Sequence, residues 1–323
     1  MHIPDNYLSP TTCAVFATTM LPIWKRSAIK VKNEISRKKM PLLGIGAAFS
    51  FLIMMFNLPL PGGTTGHAVG ATLIAILIGP YGATIAVTIA LAIQALFFGD
   101  GGVLALGANS FNMAFVMPFT GYYIYNLISR SIKGEKGQYI AAFIAGYVSL
   151  NLAALFTAIE FGIQPLIFKD SLGNPMYCPY GLNISIPTMM IPHLLLVGFI
   201  EGAFTASILA YIKKLAPSMI SENNKGNSKP VYALLVSMII LVPLGLLATG
   251  TAWGEWGITE IKEMIGYIPV GMKEGFNFSA LMQEYNVSGI PEILGYIVSA
   301  VIGVILIFIA VKLIAAAIKN KRA

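Results

Sequence analysis

The chain has 323 residues, of which 56% are hydrophobic and only 11% are charged, and its mean hydropathy is +0.76. A soluble domain carries about 25% charged residues. So few charges cannot cover a water-facing surface, which argues strongly against a soluble enzyme. The net charge of +7 does not indicate nucleic-acid binding, because the basic residues stand in short clusters between apolar stretches. The sequence therefore predicts an all-α, polytopic membrane protein.

Seven apolar stretches have the length of a single membrane-spanning helix. A bilayer core of about 30 Å needs about 20 apolar residues per helix, with a working range of roughly 17 to 25. The seven predicted helices are Tyr7–Trp24, Pro41–Leu58, Phe111–Ile128, Tyr139–Phe161, Ile186–Ile212, Val231–Thr251 and Ile293–Ile314.

The stretch Ala68–Phe98 is long for one span and short for two. It holds 31 uncharged residues, and Gly79 and Pro80 interrupt it near the middle. If it forms two short spans, the chain has nine helices, with the N-terminus outside, the C-terminus inside and 17 of the 21 Lys and Arg residues on the cytoplasmic side. A single span would place the basic clusters at Arg130 and Lys213 outside, against the positive-inside rule. We therefore predict nine spans.

A polar segment divides the chain. Residues 218–230 have the composition of a flexible linker and are predicted to be cytoplasmic. They separate a seven-helix domain, residues 1–217, from a two-helix appendix, residues 231–323, with a large outer loop at Ala252–Glu292. The N-terminus lacks the basic region of a signal peptide, so we expect the mature chain to begin near Met1.

The three histidines, His2, His67 and His193, all lie at the outer side in this topology. Because residue 2 is bulky, we expect Met1 to be retained. Its α-amine, with the amide nitrogen and imidazole of His2, can chelate a metal ion in fused five- and six-membered rings. His67 would complete a planar four-nitrogen site, which suits Ni²⁺ or Cu²⁺. The alternatives are a disordered terminal histidine and an incidental histidine in an interfacial turn.

Four further residues are candidates for a supporting role. Asp100 and Asn109 lie in a glycine-rich outer loop and could accept or donate the second hydrogen bond that a ligated imidazole makes. His193 begins the seventh helix, and Glu201 is a charge within an apolar stretch, where ionisable residues are functional candidates. Helix capping or a helix–helix hydrogen bond explains these last two residues equally well.

Motifs of the common soluble enzymes are absent from the sequence, as is a phosphate-binding loop, so the chain cannot energise transport through such a loop. Two alternatives to a transporter subunit remain open. A metal-dependent membrane enzyme would need an open metal position, which a filled planar site lacks. A self-sufficient secondary carrier would show paired intramembrane ionisable residues, for which only Glu160 and Glu201 qualify. Uptake by this chain alone would support the carrier.

Three motifs closely resemble the CbiM/NikM family, the substrate-capture subunits of energy-coupling-factor transporters for cobalt and nickel. They are MHIPDNYLSP at 1–10, PGGTTGH at 61–67 and GDGGVLALGANSFNMA at 99–114. The resemblance runs to about residue 215. The family often has Gly where this chain has Asn6, and Asn tolerates the same turn conformations. The appendix resembles the small CbiN/NikN companion subunit, with TAWGEWG at 251–257 at the start of its outer loop.

The resemblance implies a site and a set of partners. The metal ligands would be Met1 through its α-amine, His2 through its amide and imidazole, and His67 through its imidazole. Ni²⁺ or Co²⁺ would be the transported substrate, with no cofactor. A CbiQ/NikQ-like membrane coupling subunit and CbiO/NikO-like ATPase subunits would supply the energy, so the chain itself would not be an enzyme. We expect the chain to be a multi-pass protein of the prokaryotic cell (cytoplasmic) membrane, in contact with membrane lipid.

Overall fold

The computed structural model describes residues 1–34, 40–60, 64–219, 228–248 and 252–320, and these residues are mostly helical. The α-helices are α1 (Pro10–Glu34), α2 (Met40–Met54), α3 (Ala71–Ile78), α4 (Pro80–Ile93), α5 (Leu106–Asn109), α6 (Met117–Ser131), α7 (Glu135–Gly162), α8 (Gln164–Ile167), α9 (Leu182–Pro192), α10 (Gly198–Leu215), α11 (Lys229–Leu241), α12 (Ile258–Ile265), α13 (Val270–Lys273) and α14 (Glu292–Asn320).

Short turns of other helix types extend several of these helices. Wider π-type turns are found at Gln94–Phe98, Ser110–Val116 and His193–Val197, and tighter 3-10 turns at Pro217–Met219, Val242–Leu247 and Gln283–Tyr285. The predicted linker at 218–230 falls mostly on residues 220–227, which lie outside the described residues.

Five helices in the described part of the chain are long and apolar enough to cross a membrane. They are Pro80–Phe98, Glu135–Ile167, Leu182–Leu215, Lys229–Leu247 and Glu292–Ala316. The apolar helix α2 is shorter, with 15 residues. Their outer faces carry exposed apolar side chains such as Ile240 and Leu313, as expected of surfaces that face lipid.

The first helix differs from the predicted span Tyr7–Trp24 at both ends. It begins at Pro10, because the hydroxyl of Ser9 accepts a hydrogen bond from the amide of Thr12 (3.0 Å) and proline suits the first helical position. It continues to Glu34 through a run rich in Lys and Arg, which are good helix formers. Apolar patterning predicted the apolar part of this helix and not its polar extension.

The stretch Ala68–Phe98 turns back on itself at the predicted break. Gly79 adopts a φ of 80°, ending α3, and Pro80 begins α4. The cations of Arg26 and Lys30 lie over the ring of Tyr81 in this turn, 6.0 Å and 5.9 Å from its centroid. The beginning and the end of the stretch therefore meet at one end of the protein, and its middle lies beside basic residues of α1.

The prediction of an all-α chain needs one correction. Strands β1 (Leu58–Leu60) and β2 (Thr64–Gly66) pair antiparallel, with Leu58 opposite Gly66. This segment is rich in proline and glycine, which disfavour a helix, and its backbone polar groups satisfy one another across the two strands. Because β2 ends at Gly66, the pairing of the two strands fixes the backbone directly before His67.

The C-terminal part packs on the rest of the protein along α2 and α14. The hydroxyl of Tyr296 donates to the carbonyl of Met55 (2.8 Å), and Gly44 lies against the ring of Phe308. The outer loop that precedes α14 reaches across to the N-terminal segment, where the hydroxyl of Tyr7 donates to a backbone carbonyl of this loop (2.7 Å). Residues before and after the predicted linker therefore share one packed interior.

Gly303→Ala tests the packing of α14 on α2. A β-carbon at Gly303 would overlap the ring of Phe51, whereas the nearest atom to one at Gly295, on the same helix, is 3.3 Å away. We expect Gly303→Ala to lower the melting temperature of the purified protein, since overpacking costs about 1–3 kcal/mol. Gly295→Ala is the matched control, and equal melting of the two variants would contradict this packing.

Candidate metal centre

The first residues of the chain are buried. The exposed fractions of Met1, His2, Ile3 and Tyr7 are 4%, 2%, 0% and 1%. Chain termini are usually exposed and poorly ordered unless other elements hold them. A disordered terminal histidine is therefore not what the structure shows.

The loop after α4 holds the backbone of Ile3 from both sides. The side chain of Asn109 accepts a hydrogen bond from the Ile3 amide (2.8 Å) and donates one to the Ile3 carbonyl (3.0 Å). The amide of Gly102 donates to the same carbonyl (2.8 Å). Asn109 thus supports the backbone that follows His2 and not an imidazole ring.

The next two residues extend this anchoring. The carboxylate of Asp5 accepts hydrogen bonds from the amides of Val103 (2.9 Å) and Leu104 (2.8 Å). Asn6 has a φ of 68°, a left-handed conformation that asparagine tolerates as expected. Its side chain accepts from the amide of Phe276 and donates to the carbonyl of Phe276, in the outer loop of the C-terminal part.

Two imidazoles meet beside the buried terminus. The rings of His2 and His67 have their centroids 4.9 Å apart, and each Nδ1 has a partner: Asp100 Oδ1 at 2.8 Å for His2 and the carbonyl of Ala68 at 3.1 Å for His67. Both Nε2 atoms are buried and, among the residues that the structure describes, have no hydrogen-bond partner. Buried polar atoms are almost always paired, so Nε2 of His67 is a candidate ligand and the adjacent ring of His2 is a candidate to share the ion.

Carboxylates surround the positive groups of this centre. The α-amine of Met1 lies 3.4 Å from Oε1 of Glu255, which is in the C-terminal part. The Oδ2 atom of Asp100 accepts hydrogen bonds from the hydroxyl of Tyr285 (2.5 Å) and from Nε2 of Gln94 (3.1 Å). The centre therefore combines groups from three distant parts of the chain.

The surroundings set the charge of the ring and of the carboxylate. Burial lowers the pKa of His67 well below its ordinary value, and the positive amine and His2 lower it further. Burial alone would raise the pKa of Asp100, but the charge and hydrogen bond of His2 and the hydroxyl of Tyr285 bring it below its ordinary value. The low pKa of His67 favours its neutral form, in which an imidazole nitrogen can bind a metal ion, and the low pKa of Asp100 favours the carboxylate.

Glu201 holds the segment that carries His67. Its carboxylate oxygens accept hydrogen bonds from the amides of Val69 (2.8 Å) and Gly70 (3.1 Å). These amides stand at the start of α3, where Gly70 has a φ of 73°. A carboxylate at a helix N-terminus is electrostatically favoured, and here it fixes the backbone immediately after the histidine.

His193 bonds within its own helix. Its Nδ1 atom lies 2.7 Å from the carbonyl of Met189, and its Nε2 is buried without a hydrogen-bond partner among the described residues. In that part of the chain its ring shares no hydrogen bond or ring contact with the other two histidines. Of the four candidates for a supporting role, Asp100 contacts an imidazole, Asn109 and Glu201 hold adjacent backbone, and His193 does neither.

The described side chains do not by themselves supply three or more metal ligands at one place. In the part of the chain that the structure describes, no group of three or more His, Cys, Asp or Glu side chains is arranged to hold a metal ion. The α-amine of Met1 and the amide of His2 are the main-chain nitrogens next to the imidazole of His2.

Sequence reasoning missed three residues of the centre, namely Gln94, Glu255 and Tyr285. Gln94 and Tyr285 lie in stretches with no local motif, and only the tertiary fold brings them to Asp100. Glu255 lies within the segment TAWGEWG, so its acidic side chain in an outer loop was the one signal available.

Two family models match this chain, and full-length relatives are known. Residues 2–219 match the family model of CbiM, the cobalt uptake substrate-specific transmembrane region, and residues 228–320 match the PDGLE domain. LarMN of Lactiplantibacillus plantarum, a "probable fused nickel transport protein", is 46% identical over 97% of both chains. NikMN of Rhodobacter capsulatus, a fused nickel transport protein, is 41% identical over 95% of both chains.

The crystal structure of a truncated transition metal transporter is also similar. It is 52% identical, has a TM-score of 0.63, and the match covers 66% of this chain and 99% of that one. These likenesses define a multi-pass transport protein of the prokaryotic cell membrane, not an enzyme. The chain belongs to the CbiM family and carries a PDGLE domain after the CbiM region, which confirms the resemblance to CbiM/NikM with a fused CbiN/NikN-like part.

Glu201→Ala tests whether this carboxylate holds the segment after His67. The substitution leaves the amides of Val69 and Gly70 without their acceptor, and an unsatisfied buried donor costs about 1–3 kcal/mol. We expect a lower melting temperature for the metal-free protein. The exposed Glu263 provides the control, because surface substitutions stay within about 0.5 kcal/mol. If the Glu201→Ala and Glu263→Ala proteins have the same melting temperature, this role of Glu201 is refuted.

Proposed function

We propose that the chain captures Ni²⁺, or Co²⁺, at the outer face of the membrane and delivers it to the cytoplasm. The ligands are the α-amine of Met1, the amide and imidazole nitrogens of His2 and the imidazole of His67. One observation carries the proposal: a buried chain terminus lies against two adjacent imidazoles, and Nε2 of His67 is buried without a partner among the described residues. Four nitrogens in a plane suit Ni²⁺.

Ring closure decides which atom of His2 binds. A six-membered ring that includes the amide nitrogen, Cα, Cβ and Cγ of His2 closes through Nδ1. This atom bonds to Asp100 in the structure, so loading exchanges that hydrogen bond for a metal bond. His67 contributes Nε2, because its Nδ1 lies against the carbonyl of Ala68. The amine, the amide and Nδ1 of His2 each give up a proton as the ion enters, as metal binding to nitrogen ligands requires.

Charge favours a cation at this position. Asp100 and Glu255 place two carboxylates at the groups that bind the ion, the first beside His2 and the second beside the Met1 amine. A buried ion is stable only when it is paired. When the ion takes the nitrogens, these carboxylates remain beside it and offset its charge.

The packing supports the proposed topology of nine spans, with the N-terminus outside. The turn at Gly79 lies beside Arg26 and Lys30, whereas His67 and Asp100, at the two ends of the same stretch, lie at the opposite end with the metal centre. The basic end is cytoplasmic by the positive-inside rule. The division into residues 1–217, a linker at 218–230 and residues 231–323 follows the two family matches.

In this proposal, separate protein subunits supply the energy for transport. The chain itself has no phosphate-binding loop, and the CbiM region is described as substrate-specific, which suits one subunit of a larger transporter. A membrane coupling subunit of the CbiQ/NikQ type and ATPase subunits of the CbiO/NikO type would drive release. Two relatives that match nearly the whole chain are named for nickel, whereas a CbiM protein of lower identity is named for cobalt, so the similarity favours nickel.

One added residue before Met1 tests the terminal chelate. The extension converts the α-amine into an amide and moves the histidine one place from the chain start. We expect Ni²⁺ affinity, measured by calorimetry on purified protein, to fall by more than the roughly 10–100-fold that loss of a supporting residue costs. A one-residue extension at the C-terminus is the matched control. Equal affinity of both extended forms would exclude Met1 as a ligand.

A further inference from the structure

We infer that Tyr285, in the outer loop of the C-terminal part, is a positioning residue of the metal centre: its hydroxyl retains Asp100 when the metal ion takes the imidazole of His2. The inference rests on the proposed function and assigns to the C-terminal part a specific contribution to metal capture.

Asp100 divides its two oxygens between two sets of donors. Oδ1 lies 2.8 Å from Nδ1 of His2, while Oδ2 accepts from the hydroxyl of Tyr285 at 2.5 Å and from Nε2 of Gln94 at 3.1 Å. Nε2 of Gln94 also donates to the hydroxyl of Tyr285 (3.0 Å), so the two donors support each other. The carboxylate therefore has one partner on the metal side and two on the side away from it.

Loading removes the partner on the metal side. The terminal chelate closes through Nδ1 of His2, and this nitrogen cannot bind the ion and donate to Asp100 at once. A carboxylate that loses a donor inside a protein pays a desolvation cost unless other donors remain. Tyr285 and Gln94 are those donors. They hold the carboxylate of Asp100 in place beside the entering dication, where its charge stabilises the loaded state.

The surroundings of Tyr285 fix its hydroxyl in this place. The side chain is buried, and its ring stacks on Phe98 with centroids 4.9 Å apart and packs edge-on against Tyr296 at 5.4 Å. The backbone carbonyl of Tyr285 accepts a hydrogen bond from Ser299 (2.8 Å). These contacts come from the end of α4 and from α14, so they tie the outer loop to both parts of the protein.

The backbone at Tyr285 is strained. Glu284 and Tyr285 have φ values of 52° and 59°, a left-handed conformation that is unfavourable for residues other than glycine. Strained conformations persist only where the surrounding structure fixes them, and they concentrate at functional sites. Here the strained pair presents the hydroxyl of Tyr285 to Asp100, which is an independent observation in favour of the positioning role.

Tyr285→Phe tests the inference because it removes the hydroxyl and keeps the ring stack. The matched control is Tyr296→Phe, whose hydroxyl donates to the carbonyl of Met55 and not to Asp100. We expect Tyr285→Phe to weaken Ni²⁺ binding by about 10–100-fold and to shift the visible absorption band of the bound ion. Tyr296→Phe should leave both unchanged. Gln94→Met, which removes the other donor, should weaken binding in the same direction.

The outcomes separate this inference from the proposed function. His67→Ala is measured alongside, because it removes a proposed ligand. If His67→Ala loses binding while Tyr285→Phe and Gln94→Met match Tyr296→Phe in affinity and absorption, the positioning role is wrong and the proposed function stands. If His67→Ala binds like the unmodified protein, the proposed function itself fails. If Tyr285→Phe leaves the absorption band unchanged and lowers the melting temperature as much as Tyr296→Phe does, Tyr285 acts through stability alone and the positioning role is wrong.

Discussion

The proposed metal centre depends on the burial of the chain terminus. Burial of a charged terminal amine costs free energy by itself, because the charge loses its hydration. The structure compensates with the paired hydrogen bonds between Asn109 and Ile3 and with the carboxylates of Asp100 and Glu255. With the first three residues fixed in this way, the imidazole of His2 lies beside that of His67, with ring centroids 4.9 Å apart.

The glycine-rich loop after α4 makes this burial possible. A β-carbon at Gly102 would overlap Asp5 and the backbone of Pro4, so the loop approaches the terminal segment as closely as it does only because that side chain is absent. The same loop carries Asp100. Terminal segment and loop therefore form a single unit, and α3, held by Glu201, brings the second imidazole to it.

The C-terminal part completes the centre from outside. Its outer loop contributes Glu255 at the amine, Tyr285 at Asp100 and Phe276 at Asn6, while α14 secures the loop on α2. A companion that covers a binding centre can act on capture without supplying a ligand, because it fixes the groups that hold the ligands. Covalent fusion to the CbiM region keeps this loop at a high local concentration over the centre.

Part of this could be predicted from the sequence. Low charge content predicts the membrane protein, the pair Gly79-Pro80 predicts the turn, and the MHIP start with the single histidine of the PGG segment points to a nitrogen site. Helix ends were less accurate, because apolar patterning does not register a polar extension such as the end of α1. The partners Glu255 and Tyr285 could not be predicted, since contacts between residues so far apart depend on tertiary packing, which local patterns do not encode.

X-ray absorption spectroscopy of the Ni²⁺-loaded protein tests the central claim most directly. If the buried terminus and the two imidazoles form the site, the ion has four nitrogen ligands in a plane, and the outer scattering of imidazole rings is present. A six-coordinate ion bound mainly by oxygen would contradict the account, because the carboxylates and not the terminal nitrogens would then hold the metal.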